Sequence, residues 1–288
     1  GLDPTGGKEF LMQHQEGTFK NDRGQKIYYE GWLPDGKAKA VLFLVHGLGE
    51  YVGRYTNLVN HFVPLGYAIY GVDHLGHGKS EGEREMLHRF EDYITPLETF
   101  YKMVTGWQPG IPVFIYGHSM GGLIAAYYLL DHQADFKGAI LSAAAVKVPE
   151  NVTAFTVTMG KLLSAIAPKA GVLGLDTANL SHDQAVVDAY NSDPLVFHGK
   201  TPARLSAEML RAMTRVSAEI NHVTLPVFIL NGSGDRLVDP SAGQMLFDKI
   251  GSTDKTRKLY DGLYHEVHNE PQRELLFADL SSWLDKHL

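Results

Sequence analysis

The sequence predicts an α/β fold: a mostly parallel central sheet flanked by helices, with a helical cap insertion. Three observations lead there. Short, nearly continuous apolar runs alternate with segments of helical period along most of the 288 residues. The runs are apolar on both faces, as parallel strands covered by helices on each side must be. From about Lys147 to His222 the alternation stops, with helical patterns, loops and no strand signal, a stretch too long for a plain crossover.

In chain order, residues 1–15 open Gly1-Leu-Asp-Pro-Thr-Gly-Gly and read as a tag remnant or flexible N-terminus without signal-peptide patterning. Residues 16–34 read as an antiparallel pair, with Gly17–Lys20 and Lys26–Glu30 flanking the turn Asp22-Arg23-Gly24. The sheet strands follow at Val41–Val45, Tyr67–Val72, Pro112–Tyr116, Ala139–Leu141 and Pro226–Leu230, with Lys258–Tyr260 a weaker sixth. Between them, Arg54–Val63 carries Leu58, Val59 and Phe62 at helical spacing, and Met120–Leu130 is apolar nearly all round, as a buried helix should be. Leu276, Leu280, Trp283, Leu284 and His287 form the stripe of a last helix opened by Glu270-Pro271. The core is therefore expected over 16–146 and 223–288, and residues 147–222 as a cap or lid over the strand ends.

Composition narrows the function classes. An apolar share of 44% with 20% charged residues suits a globular core, and a net charge of −7 lacks the basic face that nucleic acid needs. Absence of cysteine excludes disulfides and thiolate metal sites. No apolar run approaches the ~18 residues of a membrane span, so a soluble, cytoplasmic chain is expected.

The chemistry begins at Gly117-His118-Ser119-Met120-Gly121, a G-x-S-x-G elbow between an apolar run and an apolar helix. Such a turn lifts the serine hydroxyl above the sheet, and its glycines sit where strand and helix backbones pass too close for a Cβ. Serine needs a neighbouring imidazole to take its proton. Of fourteen histidines, His265 stands out because it follows the last strand and precedes the last helix, in Tyr264-His265-Glu266-Val267-His268. A third group must hold that imidazole, and Asp235 follows the penultimate strand on the loop Asn231-Gly-Ser-Gly-Asp235. Asp239 is the competing choice. A tetrahedral intermediate needs two N–H donors, for which Met120, after the nucleophile, and Leu48, in His46-Gly47-Leu48-Gly49-Glu50, are the candidates. His265 and His268 lack His-Glu-x-x-His spacing and a third ligand, so no metal is predicted, and no cofactor.

With His46–Glu50, Gly53-Arg54-Tyr55, Asp73–Arg84, Gly117–Gly122, Tyr190-Asn-Ser-Asp-Pro-Leu195, Gly234-Asp235-Arg236 and Tyr264–His268, the chain resembles the monoacylglycerol lipases, a branch of the α/β-hydrolases that also contains lysophospholipases. The resemblance spans roughly residues 16–288 and fails over about 145–185. It implies an ester hydrolase working through an acyl-enzyme, an apolar tunnel for a long acyl chain, and a small polar pocket for glycerol formed by Glu50, Arg54 and His268 with Tyr190 nearby. From the residues alone, Glu50 and Arg54 read equally as a surface ion pair, and Tyr190 as a cap residue closing a turn. His118 is expected to pack beside the nucleophile, and Asp73–Arg84 to be structural. The partner implied is a small lipid ester substrate, and the chain itself is expected to be a monomer or weak homo-oligomer. Apolar stretches such as Ala165-Ile-Ala-Pro and Gly171-Val-Leu-Gly-Leu175 either touch a membrane or micelle surface or pack on the core. The rival readings are a general carboxylesterase or lysophospholipase, a cofactor-free haloperoxidase or C–C hydrolase on the same triad, and a non-catalytic ligand receptor.

Overall fold

A computed structural model describes residues 12–288, so most of the segment read as a tag remnant lies outside the described residues. Its last three residues, however, already belong to a strand. β1 (Gln13–Lys20) and β2 (Lys26–Leu33) pair antiparallel across the expected turn, where Gly24 takes φ 75. Then come β3 (Ala40–Val45), α1 (Thr56–Phe62), β4 (Tyr67–Val72), α2 (Glu91–Trp107), β5 (Val113–His118), α3 (Met120–His132) and β6 (Gly138–Ser142).

After the insertion the chain resumes with β9 (Val227–Gly232), α7 (Ser241–Lys249), β10 (Lys255–Tyr260) and α8 (Arg273–His287). The sheet order is β1-β2-β4-β3-β5-β6-β9-β10, parallel from β4 to β10, which bears out the mostly parallel sheet. Strands β3, β4, β5, β6 and β9 are buried at every residue, which is why each reads as a continuous apolar run.

Alternate residues of a strand face opposite sides, and the core divides accordingly. Val41, Phe43 and Val45 join α2 and α3 on one face; Ala40, Leu42 and Leu44 join α1 and α8 on the other. α2 had not been anticipated. Its stripe Tyr93, Leu97, Phe100 and Val104 is regular, but Pro96 stands inside it, and proline argues against a helix interior in any local reading.

The insertion holds α4 (Ala154–Ile166), α5 (Gln184–Ser192) and α6 (Ala203–Glu219). It also holds a short antiparallel pair, β7 (Gly171–Leu173) with β8 (Thr201–Pro202), where no strand was expected. Strands this short carry no alternation to detect. α6 packs on α3 and α4, and its Leu205, Met209, Ala212, Met213 and Val216 share the main core. α4 instead leaves Phe155, Leu162 and Ile166 exposed, at 74%, 51% and 72%.

Candidate active site

Ser119 occupies the turn between β5 and α3 with φ 59 and ψ −121, a conformation costing a non-glycine residue about 1–3 kcal/mol. The neighbours leave no alternative path. A Cβ on Gly117 would stand 2.4 Å from the Gly121 carbonyl oxygen, and one on Gly121 only 2.1 Å from that of Val45. Backbone bonds lock the turn from both ends: the Ser119 amide donates to the Ser142 carbonyl, and its own carbonyl accepts from Gly122, Leu123 and Ala145.

The Gly-rich loop after β9 delivers Asp235, and the loop after β10 delivers His265. His265 Nδ1 donates to Asp235 Oδ2 at 2.8 Å, with both residues buried. Asp235 Oδ1 accepts from the amides of Leu237 and Val238 at 2.8 and 3.0 Å, which fixes the carboxylate. Burial alone would push the His265 imidazole down, but the Asp235 charge and hydrogen bond outweigh it and the net shift is upward. Asp239, the competing acid, accepts from Ser241 N in its own turn and makes no hydrogen bond to His265, whose partner is Asp235. Ser119 and His265 are not hydrogen-bonded to each other; both line one cavity of about 720 Å³. Such contacts commonly tighten only when substrate is bound.

Leu48 and Met120 line the same cavity, and the amide of neither donates to any group among the described residues. The orientation of the first has an identifiable cause. The His74 amide donates to His46 Nε2 at 2.9 Å, so that nitrogen is unprotonated and Nδ1 carries the hydrogen. His46 Nδ1 then donates to the Gly47 carbonyl at 2.7 Å. Across a planar trans peptide the Leu48 N–H must point away from that bond. His74 Nε2 returns a hydrogen bond to the His46 carbonyl at 2.9 Å, and His77 packs against both rings. Burial pushes His46 well below the ordinary imidazole range, His74 to about 3 and His77 to about 4, so all three stay neutral. The Asp73–Arg84 loop is thereby the scaffold of the Leu48 loop. Asp73 also accepts the amides of Val52 and Lys79.

Glu50 and Arg54 form a buried pair in the cavity wall rather than a surface one. Arg54 Nη1 donates to Glu50 Oε1 at 2.6 Å, and Nη1 and Nη2 clamp Glu266 at 2.8 and 2.9 Å. Glu50 Oε2 accepts from Tyr55 Oη and from the Gly47 amide. One guanidinium thus serves two carboxylates. Burial opposes ionisation of Glu266, but the two-pronged Arg54 contact holds it well below the carboxylate range. For Glu50 burial prevails over Arg54 and pushes it up. The Tyr190 ring lies 4.8 Å from the guanidinium and completes this wall.

His268 departs from expectation: it is fully buried and does not line the cavity. It stacks on Tyr55 at 5.0 Å and meets the edge of His118 at 4.7 Å, because the tight turn Val267–Asn269 points it back into the core. Burial pushes it down to about 4. His118 packs between His265 and His268, bonded to Ser142 Oγ at 2.9 Å, and burial pushes it down as well. Sequence reasoning missed Glu266, although it adjoins His265, and Glu85, a buried acid on the cavity wall. Among the described residues no cluster suited to a metal ion occurs.

The model of the serine aminopeptidase S33 family matches residues 36–272. The monoacylglycerol lipase of Mycolicibacterium smegmatis is 34% identical over 95% of this chain and 98% of its own length. The human monoglyceride lipase is 35% identical over 92% and 89%. Among solved structures, the chain is similar to a monoacylglycerol lipase from Paleococcus ferrophilus, with TM-score 0.77 and 28% identity over 97% of this chain and 100% of that one. A soluble variant of the monoglyceride lipase from Saccharomyces cerevisiae, in complex with a substrate analog, gives TM-score 0.84 and 26% identity over 94% of each chain.

Proposed function

The chain belongs to the monoacylglycerol lipases of the serine aminopeptidase S33 family, α/β-hydrolases by fold, and on that premise we propose that Ser119, His265 and Asp235 hydrolyse monoacylglycerol esters. The observation that carries the reading is the Asp235–His265 bond standing beside a strained Ser119 and two unpaired amides in one cavity. Ser119 Oγ attacks the ester carbonyl as His265 Nε2 takes its proton. Asp235 holds the tautomer and stabilises the imidazolium. The Leu48 and Met120 amides receive the oxyanion, each worth on the order of 100-fold or more in rate. His265 passes the proton to the leaving alcohol oxygen, and water activated by the same imidazole releases the fatty acid from Ser119.

Val148, Leu173, Leu175, Met209, Met213 and Val238 give the cavity the apolar wall that an acyl chain requires. Glu50, Arg54, Glu266 and Tyr190 form the polar end beside His265. Residues 147–222 act as a lid over this cavity. No helix among the described residues is long and apolar enough to cross a membrane. The exposed Phe155, Leu162 and Ile166 with Leu173 and Leu175 at the cavity suit contact with a lipid surface. Co-sedimentation with phosphatidylcholine vesicles tests this, and Phe155→Ser/Ile166→Ser should reduce binding about tenfold or more; unchanged binding removes the surface role.

The decisive assay compares turnover of a 1-monoacylglycerol with the methyl ester of the same acid, with Ser119→Ala as blank. Preference for the glyceryl ester supports the reading. Equal rates leave a broad esterase, and activity surviving in Ser119→Ala removes the nucleophile.

A further inference from the structure

Glu85 is a carboxyl that the proposed reaction leaves unused. It follows the Asp73–Arg84 loop at φ 58, a conformation uncommon outside glycine, and is only 2% exposed. Oε1 accepts from Thr201 Oγ1 at 2.8 Å, across to the insertion. Oε2 has no hydrogen-bond partner among the described residues and lies 3.0 Å from the point a Gly49 Cβ would occupy. The Tyr190 hydroxyl lies 3.6 Å from that same point, also without a partner among the described residues. Glu85, Gly49 and Tyr190 all line the cavity.

The neighbouring cluster offers much less. Both Glu50 oxygens and both terminal nitrogens of Arg54 are taken up by partners inside the protein. Glu85 Oε2 is open to the cavity rather than sealed off; a substrate that covers it without supplying a donor incurs its desolvation cost, and an acyl chain supplies none. A hydroxyl does. The gap is kept open by Gly49, immediately beyond the proposed oxyanion donor Leu48. Tyr190, its other side, has its ring on Arg54, which holds Glu266 next to His265, the group that must reach the leaving oxygen.

The geometry points to Glu85 Oε2, with Tyr190, as the acceptor of a free hydroxyl on the alcohol portion of the substrate, making Glu85 a determinant of preference for polyol esters over alkyl esters. This rests on the ester-hydrolase reading above. Burial pushes Glu85 up to about 7, and its free oxygen can accept an O–H in either protonation state.

The test uses two esters of one fatty acid, 1-monoacylglycerol and the propyl ester, which differ only by two hydroxyls. Loss of one hydrogen bond to a carboxylate is worth on the order of tenfold. Glu85→Leu should lower the glyceryl-to-propyl ratio of kcat/KM about tenfold, through KM for the glyceryl ester, leaving propyl kinetics within about twofold. Glu85→Gln, which keeps an oxygen for Thr201, should lower the ratio about threefold and decides alone if the leucine variant does not fold. An unchanged ratio, or equal loss on both esters, overturns the assignment. A binding arm separates this inference from its premise: affinities of a 1-O-alkylglycerol and the matching alkyl propyl ether. If the wild type cleaves neither ester, the hydrolase reading fails. Tighter binding of the glyceryl ether that disappears in Glu85→Leu would still support the subsite, and its persistence would end it.

Discussion

Replacing Arg54 by methionine removes a charge while keeping most of the side-chain stem in place. The guanidinium is 9% exposed and its partners Glu50 and Glu266 are 4% and 3% exposed. Three hydrogen bonds of 2.6–2.9 Å vanish together, and two carboxylates remain in the wall with no cation. Breaking a buried pair from one side costs about 3–5 kcal/mol. For a chain of 288 residues that corresponds to a fall in Tm of roughly 5–8 °C. Scanning calorimetry over a pH series descending from about 9 provides a second check. Without Arg54 both folded carboxyl pKa values rise above their unfolded values, so the variant loses stability as pH rises through the raised values and regains it on acidification. The gap to wild type should therefore narrow as pH falls from about 9 toward the unfolded carboxylate value. Arg54→Met/Glu266→Gln, with one fewer uncompensated charge, should melt higher than the single variant. A loss under about 1 kcal/mol, a gap that widens on acidification, or a double variant no better than the single would refute the buried-pair account.

Three further outcomes follow from the same geometry. Asp235→Asn should cut kcat by about 10³–10⁴-fold with little change in Tm, whereas Asp239→Asn should cost less than about threefold; steady-state kinetics decide between the two acids. The acid limb of kcat/KM should centre above the ordinary histidine value of about 6.5, because Asp235 raises His265 in spite of burial and only the neutral imidazole is a base; a limb well below that value would count against His265. Gly121→Ala, whose Cβ would meet the Val45 and His46 carbonyls at 2.1 and 2.5 Å, should yield little folded protein, while Gly160→Ala in α4, with open space around it, should stabilise by about 0.5–1 kcal/mol; thermal melts and soluble yield report both.

Much of this architecture was legible because burial on both faces writes itself into consecutive residues. β3, β5 and β9 could be read from five or six apolar residues in a row, and Ser119, Asp235 and His265 from their places after such runs. Information that lives between distant segments was not. Arg54 and Glu266 are 212 positions apart, and neither segment marks the other as its partner. Glu85 sits in a loop without periodicity, so nothing local distinguishes it from the surface acids around it. His268 shows the limit of carrying a residue over by position: the residue is present, but the turn it occupies aims it at Tyr55. α2 was hidden by a single proline whose local cost tertiary packing overrides.

The neutral imidazoles have a consequence for the molecule as a whole. His46, His74, His77, His118 and His268 are all buried with pKa values pushed down. The unfolded chain binds protons at these positions near pH 6.5 while the folded chain refuses them, so stability is lost as pH falls below that value. Each contributes up to about 1.4 kcal/mol per pH unit over the interval between its folded and unfolded values. Against a total stability of about 5–15 kcal/mol, such a loss is substantial, and it is offset in part by His265, whose raised pKa favours the folded state on acidification. Unfolding is then a proton-uptake reaction, and the acid edge of the protein's working range is drawn by the basicity of its own unfolded chain.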